Sequence, residues 1–131
     1  MNIRPSESTL VVHFSAANVD RVDECGGVSV GYDERGRIVD VAVRAKHGPW
    51  RVDIVENDPR AFPARLTCDA EADAIAVDLD KSPYADSNEV APGLVVDLDA
   101  DGFVRGLEFL NVSRLFSEEA ISHVRQRAIL L

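Results

Sequence analysis

Apolar and polar residues alternate along most of this chain with the two-residue period of strands that bury one face. Over 94–98, leucine and valine occupy every second position. The aspartate-rich segment 99–102 follows, and a second apolar segment covers 103–112. A four-residue segment that ends in glycine is typical of a β-hairpin turn with a left-handed glycine. We therefore predict an antiparallel hairpin in which Asp97 lies opposite Arg105.

The N-terminal half carries the same pattern at a distance of 66 residues. A shift without gaps superimposes glycines, aspartates and valines of the two halves: Val11 on Val77, Asp20 on Asp86, Gly27 on Gly93, Asp33 on Asp99 and Gly36 on Gly102. Turn geometry demands glycine and aspartate at particular positions, so their coincidence is informative. A short leading strand is expected in each half, near Asn2–Arg4 and Arg65–Asp69. We predict two tandem antiparallel β-meander repeats with approximate two-fold symmetry.

Proline and glycine interrupt the segment between the two halves. We divide the chain into a degenerate meander over 1–47, a connector over 48–64, and a second meander with a C-terminal helix over 65–131, within one compact domain. Ser117 and the two glutamates after it suit a helix N-terminus, and apolar residues recur at helical spacing as far as Leu131. The predicted fold class is α+β and β-rich.

Charge and composition narrow the possible partners. The 131 residues carry a formal charge of −9, and 46% of them are hydrophobic. This apolar fraction favours a folded domain, whereas the negative charge disfavours direct binding to nucleic acid or to an anionic membrane surface. Cys25 and Cys68 lack metal-binding or catalytic spacing, and small intracellular proteins rarely carry disulfides. We predict a cytoplasmic protein with reduced thiols and no cofactor.

Three segments of the C-terminal half together resemble a known family. They are the acidic segment 69–74, the valine- and aspartate-rich segment 95–102, and the segment 106–113 that ends in Asn-Val-Ser. Over about residues 65–115, the chain resembles the bacterial family numbered 2283 among the domains of unknown function. The resemblance implies no established activity and allows a regulatory, antitoxin-like role. Ala42 stands where the second copy has Glu108, so the resemblance implies at most one site.

Calcium binding is an alternative interpretation of the aspartate-rich segment. Asp97, Asp99, Asp101 and Glu108, with Gly102 among them, have the spacing of EF-hand ligands, and calcium prefers oxygen ligands. EF-hand loops lie between helices, whereas both flanks of this segment have strand character. In a hairpin, turn aspartates bond to their own backbone instead. We favour the hairpin and keep the metal site as an alternative.

Catalysis has weak support in this sequence, which contains no nucleophile motif and no phosphate-binding glycine loop. A ligand-binding or catalytic carboxylate site at Glu71, Asp73 and Glu108 is a further alternative, because Glu108 is an acid in an otherwise apolar strand. The leading hypothesis is a non-enzymatic interaction or regulatory module. Its sheet edges would bind a partner protein or a second copy of the chain.

Overall fold

The computed structural model describes residues 9–44, 50–54, 65–79 and 83–131, which form two β-sheets and a C-terminal helical segment. The first sheet consists of β1 (Thr9–His13), β2 (Arg21–Cys25), β3 (Val28–Tyr32), β4 (Ile38–Arg44) and β5 (Trp50–Asp53). Its strand order is β2-β3-β4-β1-β5. Neighbouring strands are antiparallel except β5, which runs parallel to β1 and lies within the predicted connector.

The second sheet lies in the C-terminal half. It consists of β6 (Arg65–Asp69), β7 (Ala74–Asp78), β8 (Asp86–Ala91), β9 (Leu94–Leu98), β10 (Val104–Leu110) and β11 (Ile129–Leu130), in the order β11-β6-β7-β10-β9-β8. Two helices, α1 (Val112–Leu115) and α2 (Glu118–Arg127), connect β10 to β11. This β-rich arrangement with a C-terminal helix confirms the α+β class. The leading strand expected near Asn2–Arg4 lies outside the described residues.

Four strands have the same lateral order in both sheets, β2-β3-β4-β1 in the first and β8-β9-β10-β7 in the second. The bounds of β3 and β9, and those of β4 and β10, differ by 66 residues. The spacing between β1 and the corresponding strand β7 is shorter by one residue. Val12 pairs with Val41, and Val77 pairs with Leu107, so Val12 rather than Val11 corresponds to Val77. A one-residue shift turns a strand over, so the gapless alignment was wrong there.

Buried side chains from both sheets form one hydrophobic core. Its aromatic centre joins Phe14, which follows β1, to Phe109 of β10 and Phe116, which lies between the helices. The ring centroids are 4.8–5.2 Å apart in tilted and edge-to-face arrangements. Such arrangements suit the charge distribution of aromatic rings and add to the effect of burial. The two sheets and the helical segment therefore share a single core.

Helix α2 begins as the sequence predicts. The Ser117 side chain accepts a hydrogen bond from the backbone N–H of Ala120 at 3.1 Å, and Glu118 and Glu119 occupy the first turn. Ala120 and Val124 are fully buried, so α2 covers its own core. The helix ends at Arg127, earlier than Leu131, because Ile129–Leu130 pairs with β6 as a parallel strand.

Both cysteines are free thiols; Cys68 is buried and Cys25 is partly buried. Burial raises the pKa of the Cys68 thiol, and the positive charge of Arg125 opposes this shift only in part. Cys68 is therefore a protonated, unreactive core residue at neutral pH. Among the described residues, no helix has the length and apolar character needed to cross a membrane.

Candidate functional site

A carboxyl pair lies on the outer face of the second sheet, where β9 and β10 meet. Asp97 of β9 is opposite Gly106 of β10, and by strand alternation its side chain is on the face away from the core. Gly106 leaves space for that side chain, since a Cβ added there would lie 3.3 Å from Asp97 Oδ2. The carboxyl group also reaches Glu108, with which it forms a side-chain hydrogen bond. Asp78 of β7 pairs with Gly106 on its other side.

The environment of Asp97 favours its protonated form. Burial, which leaves 8% of the residue exposed, raises the pKa of Asp97 to about 6. The hydrogen bond with Glu108 and the negative charges of Glu108 and Asp78 act in the same direction, while the positive charge of Arg105 opposes them. Protonated Asp97 therefore donates a hydrogen bond to the Glu108 carboxylate. Asp97 keeps this proton until the pH rises above about 6.

Arg105 does not lie opposite Asp97, so that prediction was wrong. The β9–β10 ladder shifts register between Val104 and Gly106, which leaves Arg105 as the extra residue of a β-bulge. The bulge moves Gly106 into the position opposite Asp97. Arg105 still lowers the pKa of Asp97 through its charge. The register therefore allows a second acid, rather than the arginine, to bond to Asp97.

The first sheet places its aspartate on the other strand of the corresponding pair. Gly31 of β3 is opposite Asp40 of β4, and a Cβ added to Gly31 would overlap the Asp40 carboxylate. In the first sheet the glycine thus lies on β3 and the aspartate on β4. In the second sheet the order is reversed, with Asp97 on β9 and Gly106 on β10. Ala42 occupies the position of Glu108, as the shared strand bounds of β4 and β10 show. The first sheet consequently lacks the carboxyl pair.

Asp73 joins the β6–β7 turn to helix α1. It adopts a left-handed backbone conformation, with a φ of 54°. Its carboxylate accepts hydrogen bonds from the backbone N–H of Ser113 at 3.1 Å and from the Ser113 hydroxyl at 2.6 Å. The backbone carbonyl of Asp73 accepts from the N–H of Val112 at 3.1 Å. Asp73 therefore satisfies N–H groups that the first turn of α1 leaves without intrahelical partners.

The structure places the three predicted ligand-binding residues at two locations. Glu71 is exposed in the β6–β7 turn, and Asp73 is engaged with Ser113 at the end of that turn. Glu108 lies further along β10, opposite Ala76, where it bonds to Asp97. The fold thus brings Glu108 to Asp97, whereas the Asp73 carboxylate bonds to Ser113. Sequence reasoning grouped Asp97 and Glu108 only as possible calcium ligands, and it missed their hydrogen bond because strand register brings the two side chains together.

The four predicted metal ligands are likewise divided. Asp99 is buried and uses Oδ1 to accept from the backbone N–H groups of Asp101 and Phe103, at 2.9 and 3.0 Å. Asp101 is exposed, and Asp97 bonds to Glu108. Strands β9 and β10 flank this segment, as expected for a hairpin. In the part of the chain that the structure describes, no three His, Cys, Asp or Glu residues are grouped to hold a metal.

An acidic surface lies along two edge strands, β2 of the first sheet and β8 of the second. These strands meet where β2 ends, since a Cβ added to Gly26 would lie 2.9 Å from Cγ1 of Val90. We call this surface the acidic edge; its acids are Asp20, Asp23, Glu24, Asp86 and Glu89. Arg21 is the basic residue of these two strands. The acidic edge therefore carries a local excess of negative charge beside edge strands, whose outer backbone groups can pair with a further strand.

The fold defines a β-rich α+β protein of two sheets with a carboxyl pair and an acidic edge. Residues 65–113 match the family described as "Protein of unknown function (DUF2283)", which confirms the family expected for this part of the chain. The matched segment runs from the start of β6 to Ser113, so the bond between Asp73 and Ser113 lies within it. No curated protein and no solved structure matches the chain.

Proposed function

We propose that this protein is a non-enzymatic interaction module that binds a partner protein along the acidic edge. The observation that carries the proposal is the meeting of β2 and β8, two acidic edge strands, at Gly26 and Val90. An edge strand presents backbone donors and acceptors to an added strand. Negative charge next to those groups steers basic partners toward them. A reducing, cytoplasmic location suits the two free thiols.

We further infer that the two sheets are tandem copies of one unit, over 1–47 and 65–131, joined by the connector 48–64. The common strand order and the 66-residue spacing of two strand pairs support this inference. In a fused pair of units with approximate two-fold symmetry, the two copies pack within one chain. A shorter relative with a single unit would form the same contact by dimerising. On this basis the fused protein has less need of a second copy, and its partner is a different protein.

A charge-reversal experiment tests the interaction role. The triple variant Asp20→Lys, Asp86→Lys and Glu89→Lys reverses three acids of the acidic edge. Its matched control, Glu34→Lys, Glu71→Lys and Asp101→Lys, makes the same change of net charge at exposed turn positions. Quantitative pull-down from cell extract is expected to recover a stoichiometric partner with wild type and control and to lose it with the edge variant. Equal recovery with both variants would contradict the role.

The carboxyl pair supports a second candidate, a small-ligand, metal or catalytic site that uses Glu108. Its supporting observation is the hydrogen bond between Glu108 and Asp97, whose raised pKa of about 6 is a common property of functional acids. Calorimetric titration with calcium at pH 7.5, compared with a Glu108→Gln variant, tests the metal form. Binding at one site that the variant loses would favour this candidate, and an absence of heat in both proteins would count against it.

A further inference from the structure

We propose that β2 is the strand to which the partner adds, and that the added segment is extended and alternates basic with apolar residues. This inference depends on the interaction role proposed above and specifies its site and the chemistry of its partner. Three properties of β2 support it: an uninterrupted ladder, an exposed apolar patch and an arrangement of charges that disfavours a second copy.

The ladder between β2 and β3 is regular over five residue pairs, from Arg21 with Tyr32 to Cys25 with Val28. The other edge of this acidic surface is different, because the β8–β9 ladder shifts register between Glu89 and Ala91. Bulges twist an edge strand and interrupt further pairing, so they protect β8 against strand addition. At the opposite ends of the two sheets, β5 has four residues and β11 has two. Among the edge strands that the structure describes, β2 therefore offers a ladder that is regular over five residues.

Two exposed valines lie beside this edge. Val22 of β2 is 59% exposed and Val19 is 42% exposed. Both border Gly31, since Val22 pairs with it and Val19 Cγ2 would lie 3.2 Å from a Cβ added there. Gly31 has no side chain, and the Asp40 carboxylate and Val19 occupy the space over it, while Val22 beside them remains exposed. An apolar side chain on an added strand would cover Val22 and remove apolar surface from water, which favours binding.

The backbone of β2 can accept a further strand at Val22. Cys25 and Val28 flank the two-residue turn Gly26-Gly27, in which both glycines have positive φ, at 56° and 81°. Residues that flank such a turn form a hydrogen-bonded pair, and bonded pairs alternate along an antiparallel ladder. Cys25 and Asp23 therefore bond toward β3, while the N–H and carbonyl of Val22 point outward. An added strand would pair with those two groups.

The charges on β2 select the partner. The Arg21 side chain already interacts with residues of its own sheet. Its guanidinium carbon lies 4.5 Å from the centre of the Tyr32 ring, and its Nε lies 3.4 Å from Asp23. Asp23 is opposite Val30, a core residue, so it belongs to the inward face of an edge strand. Inward-pointing charges and like-charge repulsion disfavour self-pairing of this edge. Lysine or arginine on an added strand would instead be attracted to Asp23 and to the acids on either side of β2.

A synthetic eight-residue peptide of alternating lysine and valine, blocked at both ends, is the probe for this inference. Amide NMR of the full-length protein is expected to show shifts and slowed hydrogen exchange at residues 20–25 when the peptide is added. A peptide of alternating glutamate and valine is the charge control and is expected to cause neither effect. Shifts confined to β8, or equal effects of both peptides, would overturn the inference.

Two variants of Val22 distinguish strand pairing from a general electrostatic attraction between the acidic protein and the basic peptide. Val22→Pro removes the outward N–H, and Val22→Glu keeps it but adds negative charge and removes apolar surface. Both are expected to raise the Kd for the lysine–valine peptide by at least about tenfold at constant salt, with circular dichroism confirming that each variant folds. For Val22→Glu, this result would show that apolar contact at Val22 outweighs the added attraction for lysine. Unchanged affinity in both folded variants would overturn the inference.

The variant Asp86→Lys with Glu89→Lys distinguishes this inference from the interaction role itself. If β2 is the site, this β8 variant binds the peptide with less than about a threefold change in Kd. Loss of peptide binding in the β8 variant, with the Val22 variants unaffected, would reject β2 while leaving the interaction role intact. Recovery of the cellular partner by every edge variant would instead reject the interaction role, whatever the peptide does.

Discussion

Asp97 shows how the absence of one side chain makes room for a buried carboxyl group. The opposing Gly106 leaves open space on the outer face of the sheet, and Glu108 supplies a hydrogen-bond partner. A buried acid without such a partner would be costly, because desolvation disfavours its charged form. Protonation of Asp97 at pH values below about 6 removes that cost, and the protonated carboxyl bonds to Glu108. The pair thus makes stability depend on pH.

The pH dependence of unfolding tests this account of Asp97. Because the folded-state pKa of about 6 exceeds the ordinary value of 3.8, the folded protein binds more protons than the unfolded chain between these values. The free energy of unfolding therefore falls as pH rises through this range and levels off above it. Relative to Asp97→Asn, the wild type is expected to lose about 1–3 kcal/mol between pH 4 and pH 7.5.

Urea unfolding of both proteins across this pH range measures the difference. The asparagine side chain of the Asp97→Asn variant would keep a hydrogen bond to Glu108 without titrating, and Glu71→Gln is a control because Glu71 is exposed in a turn. A wild-type stability that runs parallel to that of Asp97→Asn at every pH would show that Asp97 titrates normally.

At the scale of single elements, hairpin turns depend on glycines for different reasons. Gly27 has a φ of 81°, and a Cβ added to it would meet nothing within 4 Å. Gly93 has a similar φ of 80°, but its added Cβ would lie 2.6 Å from the backbone carbonyl oxygen of Leu110. The first turn therefore needs glycine for its backbone conformation alone, and the second also needs it for space.

Alanine substitutions separate these two requirements. Gly27→Ala is expected to lower the free energy of unfolding by about 1 kcal/mol, the cost of a left-handed alanine. Gly93→Ala adds a backbone clash and is expected to cost at least about 2 kcal/mol. Thermal or urea unfolding of the two variants provides the comparison. Equal losses would show that the β8–β9 turn can move away from Leu110 at little cost.

The link between Asp73 and Ser113 is a second element-scale feature, since it joins the β6–β7 turn to α1. Ser113→Ala removes only the hydroxyl bond and is expected to cost about 1 kcal/mol. Asp73→Ala removes the carboxylate and places alanine in a left-handed conformation, so a loss of about 2–3 kcal/mol is expected. Asp73→Asn is the control, because asparagine tolerates that backbone conformation and can still accept a hydrogen bond. Urea unfolding ranks the three variants, and a loss for Asp73→Ala no larger than for Ser113→Ala would contradict a capping role.

At the scale of the whole molecule, Arg37 connects the first sheet to the helical segment. The Arg37 Nη1 atom donates to the backbone carbonyls of Ser113 at 2.9 Å and Arg114 at 2.6 Å. These carbonyls belong to α1 and lie toward the negative end of a very short helix. One guanidinium therefore holds together elements that are far apart in the sequence.

Arg37→Ala is expected to lower the free energy of unfolding by about 1–2 kcal/mol, because charge-assisted hydrogen bonds to two carbonyls are lost. Arg37→Lys should retain part of this, since an ammonium can donate without the planar fork of arginine. Arg35→Ala, an exposed turn residue, is the matched control and should have little effect. Hydrogen exchange at 112–116 measures the same link locally, and unchanged protection in Arg37→Ala would contradict it.

The strands, turns and helix start of this protein were determined largely by the sequence itself. Alternation along 94–98, the Asp99 and Gly102 turn and the Ser117 cap depend on neighbours within a few residues, so local patterns predict them. The family motifs of the C-terminal half are likewise patterns that can be read from residues close together in the sequence. Each of these features forms from contacts that lie close together along the chain.

Tertiary structure alone decided which side chains face one another. The bulge at Arg105 placed Gly106 opposite Asp97, pairing with β6 ended α2 at Arg127, and a one-residue offset made Val12 the counterpart of Val77. Register is set by the joint packing of several strands, and a shift of one residue exchanges the two faces of a strand. The hydrogen bond between Asp97 and Glu108 therefore follows from strand pairing, whereas spacing along the chain grouped these two acids only as possible calcium ligands.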